Sequence, residues 1–163
     1  MVIWIIGLSG SGKTTLANIL KKKLVKKKYK IVHVDGDAIR KIYDEKLGYS
    51  YKEREINAKR ISFLVKFLDD QKTNLIVSVL SNYPKWLRWN KKKLRRYFQI
   101  YIRTDLKILK KRKPKLYKLK SKNVVGLDIK FNEPKNNNFE ITNSKSIKDL
   151  TKKADNFIRL NRL

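Results

Sequence analysis

Residues 7–15 read Gly-Leu-Ser-Gly-Ser-Gly-Lys-Thr-Thr, with Gly7, Gly12, Lys13 and Thr14 at the fixed places of the pattern G-x-x-x-x-G-K-[ST]. The spacing implies a chemistry. Glycines let backbone N–H groups turn inward around phosphates, the lysine meets the outer ones, and the Thr14 hydroxyl can sit on Mg²⁺. Ser9, Gly10, Ser11 and Thr15 complete the cradle. An ATP or GTP site is the first expectation. A Gly/Ser turn that happens to hold a lysine is the competing reading, and the context argues against it. Val2-Ile3-Trp4-Ile5-Ile6 reads as a buried strand before the loop. Leu16 to Leu24 reads as a helix after it, with its N-terminus pointing at the anion.

Asp35 and Asp37 flank Gly36 directly after a second apolar run. Two carboxylates one residue apart can divide the work of phosphoryl transfer. One orients or deprotonates the attacking hydroxyl, and the other holds Mg²⁺ through water. An Asp-Gly turn with Asp37 as helix cap is the alternative. The phosphate loop favours function, because the reaction needs metal charge near the phosphates. Arg40, Arg54, Asn57 and Arg60 form a basic and polar set, with Arg54 and Asn57 spaced for one helix face. A guanidinium fork suits sulfate or phosphate, although surface arginines on a lysine-rich chain have the same spacing. Tyr49 can stack on a base or serve as a loop aromatic. His33, inside an apolar strand, reads as structural, and Trp86, Trp89 and Tyr97 as a packing stripe. The chain has no cysteine and one histidine, which excludes thiol chemistry and a His/Cys zinc site.

These residues need a scaffold, and the apolar pattern supplies one. Lys30 to Val34 reads as the second strand, with a helix from about Ala38 opened by Asp37. Glu53 to Leu68 reads as a longer helix with Ile61, Leu64, Val65 and Leu68 on one face. Asn74 to Leu80 is a nearly continuous apolar run, as in a strand covered on both sides. Pro84 opens a helix toward Arg96, Phe98 to Arg103 is a fourth strand, and Asp105 caps a helix toward Arg112. Phe139 to Thr142 and Ser146 to Leu160 close the chain as a fifth strand and a final helix. The alternation predicts an α/β P-loop NTPase fold: a five-stranded parallel sheet with helices on both faces. Residues 1–163 are expected to form a single kinase domain, with a polar, mobile lid over about 113–138. Ligands in such sheets bind beyond the carboxyl ends of the strands, where the phosphate loop, Asp35–Asp37, Ser81 and the lid converge.

The formal net charge of +28 fits nucleic acid, an acidic membrane surface or polyanionic small substrates. Abundant Lys, Ile and Asn also point to A/T-rich codons, and the basic residues are spread along the whole chain, as on a solvated surface. Neither a membrane span nor a signal peptide is visible, so a cytoplasmic location is expected.

The arrangement resembles the adenylylsulfate kinase family. The resemblance runs through Ile3 to Ala17, Val34-Asp35-Gly36-Asp37-Ala38-Ile39-Arg40, Leu47-Gly48-Tyr49-Ser50, Glu53 to Arg60, Leu80-Ser81, Leu116-Tyr117-Lys118 and Val125-Gly126-Leu127-Asp128, with Pro134 beyond. Family membership implies phosphorylation of the 3′-hydroxyl of adenosine 5′-phosphosulfate by ATP with Mg²⁺. It further implies that Lys13 and Thr14 hold ATP phosphates and magnesium, that Asp35 faces the acceptor hydroxyl, and that Asp37 supports the metal. Arg40, Arg54 and Asn57 correspond to acceptor contacts, as do Leu80 and Ser81 after the third strand. Tyr49 stands where the family has phenylalanine, and Lys118 belongs to the lid. The chain departs from the family in beginning at its first strand, in reading Leu80-Ser81-Asn82-Tyr83-Pro84 for Ile-Ser-Pro, and in lacking the lid glycine before Leu116. These departures touch acceptor and lid positions. Short relatives that phosphorylate other nucleotides, such as cytidine diphosphoramidate, are therefore the alternative. A nucleic-acid-binding P-loop protein or an inactive paralogue is the rival of another class. The expected partner is a small nucleotide, with neither nucleic acid nor membrane required and a homodimer compatible with the reading.

Overall fold

The computed structural model describes residues 1–43, 47–80, 83–117, 122–143 and 146–163. Val2–Gly7 (β1) is buried at every position. It takes the centre of a sheet, paired in parallel with Asn74–Val79 (β3) on one side and Tyr97–Arg103 (β4) on the other. Ile31–Asp35 (β2) adds outside β3 and Phe139–Thr142 (β5) outside β4, so the order is β2-β3-β1-β4-β5 with all neighbours parallel. Central parallel strands are covered on both faces, which is why β1 reads as an unbroken apolar run and β3 as a nearly continuous one, interrupted by Ser78.

Successive side chains of β1 go to opposite faces. Ile3 and Ile5 join Ile76, Ile100 and Ile102 against Lys13–Lys26 (α1) and Ile147–Leu160 (α7), which contribute Leu16, Leu20, Leu24, Leu150 and Phe157. Val2, Trp4 and Ile6 pack on the other face with Leu75 and Val77. They meet Ile39 of Gly36–Ile42 (α2) and Ile61 and Val65 of Tyr51–Asp70 (α3), with Leu64 and Leu68 at the margin.

The helix ends depart from the sequence reading in ways that bear on the site. Helix α1 begins at Lys13, straight out of the loop, rather than at Leu16. Helix α2 is capped by Asp35 and not by Asp37: Asp35 Oδ1 accepts from the backbone N–H of Asp37 at 3.0 Å and of Ala38 at 3.3 Å. Helix α3 begins at Tyr51 because Ser50 and Glu53 form a capping box, a pattern legible in the sequence and passed over. Pro84–Lys93 (α4) stops short of Arg96, whose φ of 41° belongs to the left-handed turn before β4. Leu106–Arg112 (α5) is capped by Asp105, as expected. Trp86 and Trp89 pack with Phe63, whereas Tyr97 leaves that stripe for Trp4.

The described part of segment 113–138 packs against the phosphate loop in this structure. It contains Pro114–Tyr117 (α6) and a parallel bridge between Val125 and Ile129. Tyr117 and Val124 are buried with Leu109, against Leu8 of the phosphate loop. Among the described residues no helix is long and apolar enough to cross a membrane.

Candidate active site

The loop between β1 and α1 lies at the carboxyl edge of the sheet, with the carbonyls of Ser9, Gly10 and Ser11 bonded by side chains from later segments and that of Leu8 by the loop's own Lys13. Leu8 O accepts from Lys13 Nζ at 2.9 Å, Ser9 O from Tyr117 Oη at 2.8 Å, and Gly10 O from an Arg112 guanidinium N–H at 3.4 Å. Ser11 O accepts from Asn143 Nδ2 at 2.6 Å and Thr104 Oγ1 at 3.4 Å. A loop anchored by its carbonyls presents its N–H groups to the other side, which makes an anion-binding concavity. Two glycines are required by this shape. Gly12 has φ 99°, and a Cβ there would fall 2.5 Å from Asn143 Nδ2. A Cβ at Gly7 would fall 2.6 Å from Ser11 Oγ and 2.7 Å from the Ile102 carbonyl oxygen.

One hydrogen-bonded chain runs from the loop into the sheet. Thr14 Oγ1 donates to Asp35 Oδ2 at 3.2 Å, and Ser78 Oγ donates to the same oxygen at 2.8 Å. Ser78 is the strand-register partner of Asp35, and its Oγ lies 2.9 Å from His33 Nε2. With the Ser78 proton committed to Asp35, the histidine must be the donor, so Nε2 carries hydrogen. Burial opposes the ionisation of Asp35, but hydrogen bonds from Ser78, the Asp37 and Ala38 amides and Thr14 outweigh it. They hold the carboxyl below the usual carboxylate range. Thr14 thus meets Asp35 and not Asp37. Asp37 is exposed toward the cavity, and its carboxylate has no hydrogen-bond partner among the described residues.

Lys13 is half-buried by surface area, and its ammonium is enclosed by the walls of the site. Burial pushes its pKa from 10.5 down to about 8; Asp37 and Asp35 oppose the shift, and the neighbouring Lys113 adds to it.

Facing the loop stands a second group of residues. The guanidinium carbons of Arg40 and Arg54 each lie 5.0 Å from the centroid of the Tyr49 ring. Arg40 donates to Gly48 O at 2.6 Å, and Arg54 donates through Nε to Tyr49 O at 2.8 Å. The second link of Arg54 is to Asn123 O in segment 113–138, at 3.1 Å. Asn57, buried, donates from Nδ2 to Gly36 O at 3.3 Å.

Lys13, Thr14, Asp35, Asp37, Arg40, Tyr49, Arg54, Asn57 and Leu80 all line one cavity of about 840 Å³, together with Ser9, Gly10, Gly12 and Thr15. Gly7 and Ser11 do not line it and lie beneath the loop, with Ser11 fully buried. Arg60 stays outside and stacks on Tyr43 at 4.4 Å. Ser81 and Lys118 fall outside the described residues. The sequence reading assigned no site role to Ser78, Thr104, Arg112, Lys113, Tyr117 or Asn143. Asn143 had a usable signal, since it follows β5 at the carboxyl edge where ligands bind. Arg112 was hidden in a lysine-rich stretch, and Tyr117 entered only as part of the lid signature. A smaller cavity of about 230 Å³ shares Gly10, Gly12 and Thr15 with the first and is closed by Arg112, Asn143, Ile147 and Leu150. Among the described residues no cluster of three or more His, Cys, Asp or Glu side chains exists to hold a metal unaided. Thr14 and Asp35 fit a magnesium ion bound mainly through water and substrate phosphates.

A family model described as adenylylsulphate kinase matches residues 1–142. A probable adenylyl-sulfate kinase of Archaeoglobus fulgidus is 37% identical over 140 residues, covering 83% of this chain and 90% of that protein. A cytidine diphosphoramidate kinase of Campylobacter jejuni is 39% identical over 141 residues, covering 82% and 81%. The Mycobacterium tuberculosis APS kinase, solved in complex with AMPPNP and APS, superposes with a TM-score of 0.85 at 27% identity over 99% of this chain and 97% of that one.

Proposed function

This chain belongs to the adenylylsulfate kinase family, ATP-dependent phosphotransferases that act on a hydroxyl group, and from that premise we propose that it phosphorylates the 3′-hydroxyl of adenosine 5′-phosphosulfate. The observation that carries the proposal is the single cavity with a phosphate loop on one wall, two arginines around an aromatic ring on the other, and two carboxylates between them. The loop N–H groups and Lys13 hold the donor phosphates. The smaller cavity takes the donor's nucleoside, with Arg112 and Ile147 against it. Tyr49 stacks on the acceptor's base, while Arg40, Arg54 and Asn57 bind its anionic and polar groups. Segment 113–138 acts as a lid within the single domain, tied to the donor side through Tyr117 and to the acceptor side through Arg54.

We assign the two carboxylates the opposite way round from the resemblance, on the strength of their hydrogen bonds. Asp35 is occupied by Thr14, Ser78 and the α2 cap, so it supports the metal with Thr14. The free carboxylate of Asp37 is left to face the acceptor. When bound, Mg²⁺ neutralises charge on the donor phosphates. In the transfer the acceptor oxygen forms a bond to the γ-phosphorus, the bond from that phosphorus to the ADP oxygen breaks, and the hydroxyl proton passes to Asp37. Catalysis is positioning and charge neutralisation rather than covalent chemistry.

The test is an end-point assay with MgATP and a panel of acceptors, with products identified by mass. Adenosine phosphosulfate one phosphoryl heavier is the expected product. Exclusive phosphorylation of a cytidine diphosphate derivative would keep the fold and donor chemistry but move the acceptor. That second reading is favoured by the 39% identity to the Campylobacter kinase. No acceptor-dependent ADP at all would overturn both.

The Lys13 pKa gives a pH prediction. Polyphosphate favours the ammonium, so the complex has the higher pKa, and binding takes up a proton once pH passes about 8. The ATP dissociation constant is expected to be flat from about pH 6.5 to 7.5 and to rise toward about tenfold per pH unit above about 8. Calorimetry in buffers of different ionisation heat would show the proton uptake. Constant affinity to about pH 9.5 would contradict it.

A further inference from the structure

The large cavity carries more positive charge than the phosphate-loop motif accounts for. Its described lining holds Lys13, Arg40, Lys41, Arg54, Lys113 and Lys122 against only Asp35 and Asp37. Lys113 is exposed, but its backbone is fixed beside the loop. It ends helix α5, its N–H donates to Leu109 O at 2.8 Å, and its carbonyl accepts from Leu116 and Tyr117, each at 3.1 Å. Its side chain then lies across Gly10: Lys113 Cγ is 3.3 Å, and Cδ 3.7 Å, from where a Cβ on Gly10 would sit. Among the described residues it forms no ion pair. Arg40 and Arg54 are both committed to the Tyr49 side, so the anion that Lys113 meets belongs to the loop.

We propose that Lys113 is a further catalytic residue, whose ammonium joins that of Lys13 on the terminal phosphate of the bound nucleoside triphosphate. This rests on the kinase reading above. Lys13 and Lys113 are like charges at one loop, with Asp35 and Asp37 lining the same cavity, and an anion between the two ammonium groups relieves their repulsion. During transfer, negative charge accumulates on the γ-phosphoryl and on the oxygen that leaves with ADP. A preplaced ammonium stabilises that charge without reorganisation. The motif itself contains one lysine, so this second one is supplied by the segment after α5.

The test compares Mg²⁺–AMPPNP with Mg²⁺–ADP by calorimetry, on the unaltered protein and on Lys113→Gln and Lys113→Arg. A charge-assisted contact to the terminal phosphate predicts that Lys113→Gln weakens AMPPNP by about 10- to 100-fold and ADP by less than about threefold. Lys113→Arg should restore AMPPNP to within about threefold, and kcat should follow the same order. Lys111→Gln, an equal charge change at an exposed position of α5, should alter neither nucleotide. Equal losses for AMPPNP and ADP, no loss at all, or the same loss in Lys111→Gln would each overturn the assignment. If the unaltered protein binds neither nucleotide, the kinase reading itself fails, which separates the two results.

Discussion

Lys13→Met is expected to lower kcat/KM by about 10³-fold or more while leaving the fold intact. The ammonium works from a desolvated position, where a charge acts on a phosphoryl group through a low dielectric and is worth far more than in water. That position also carries a cost in the free protein, seen in a pKa pushed from 10.5 down to about 8. The sign of the linkage follows. At pH 7 the charged form is disfavoured in the folded state relative to the unfolded one, so methionine should leave Tm unchanged or raise it. Between about 8 and 10.5 the unfolded chain binds the extra proton and the folded chain does not. The stability of the unaltered protein therefore gains on the variant as pH rises through that window. Thermal melts at pH 7 and pH 9.5, run beside an activity assay, check both halves. An inactive variant with a much lower Tm would mean that Lys13 is structural, and an active one would remove the donor site from this loop.

Asp37→Asn should be the second severe loss, with kcat reduced by about 10²- to 10⁴-fold, the range of a positioned general base. Nucleotide affinity should stay within about threefold, because the Asp37 carboxylate accepts no hydrogen bond among the described residues. Asp35→Asn should behave differently. Its carboxylate accepts from Thr14, Ser78 and two α2 amides, so the amide should lower Tm and raise the Mg²⁺ concentration needed for half-maximal rate. Steady-state kinetics across a Mg²⁺ series separates the two carboxylates. If Asp35→Asn spared magnesium dependence and Asp37→Asn raised it, the roles would revert to those the resemblance implies.

The two aspartates mark the limit of sequence reasoning. The strands and the phosphate loop were legible because each depends on its own residues: an unbroken apolar run for β1, a nearly continuous one for β3, and glycines where the backbone must pass close to Ser11 and Asn143. The two aspartates depend on where the chain bends. If β2 had continued, residues 35 and 37 would point to the same face. It ends at Asp35 and turns into α2 at Gly36. Asp35 therefore shares a face with His33 and Ser78 while Asp37 swings into the cavity, and spacing alone does not report that turn. The contacts of segment 113–138 were illegible for a different reason. Its lysines and asparagines have no periodicity, and its order comes from contacts distant in sequence, such as Tyr117 Oη on Ser9 O and Val124 beside Leu8. The acceptor wall was half visible: Arg40, Tyr49, Arg54 and Asn57 do converge, but the turn that gathers them is set by the Ser50–Glu53 capping box.

The bonding of the loop carbonyls bears on portability. The nine residues from Gly7 to Thr15 are held by Thr104, Arg112, Tyr117 and Asn143, the last of them 132 positions away from Ser11. The nucleotide-binding motif is thus not a cassette. Transplanted into a foreign strand–helix junction it would keep its glycines and its lysine yet lose the struts that aim its amides. A fragment ending at residue 142 would carry the whole stretch matched by the family model but lack Asn143. Nucleotide binding should emerge late during synthesis, only after the ribosome has released the fifth strand and the residue that follows it.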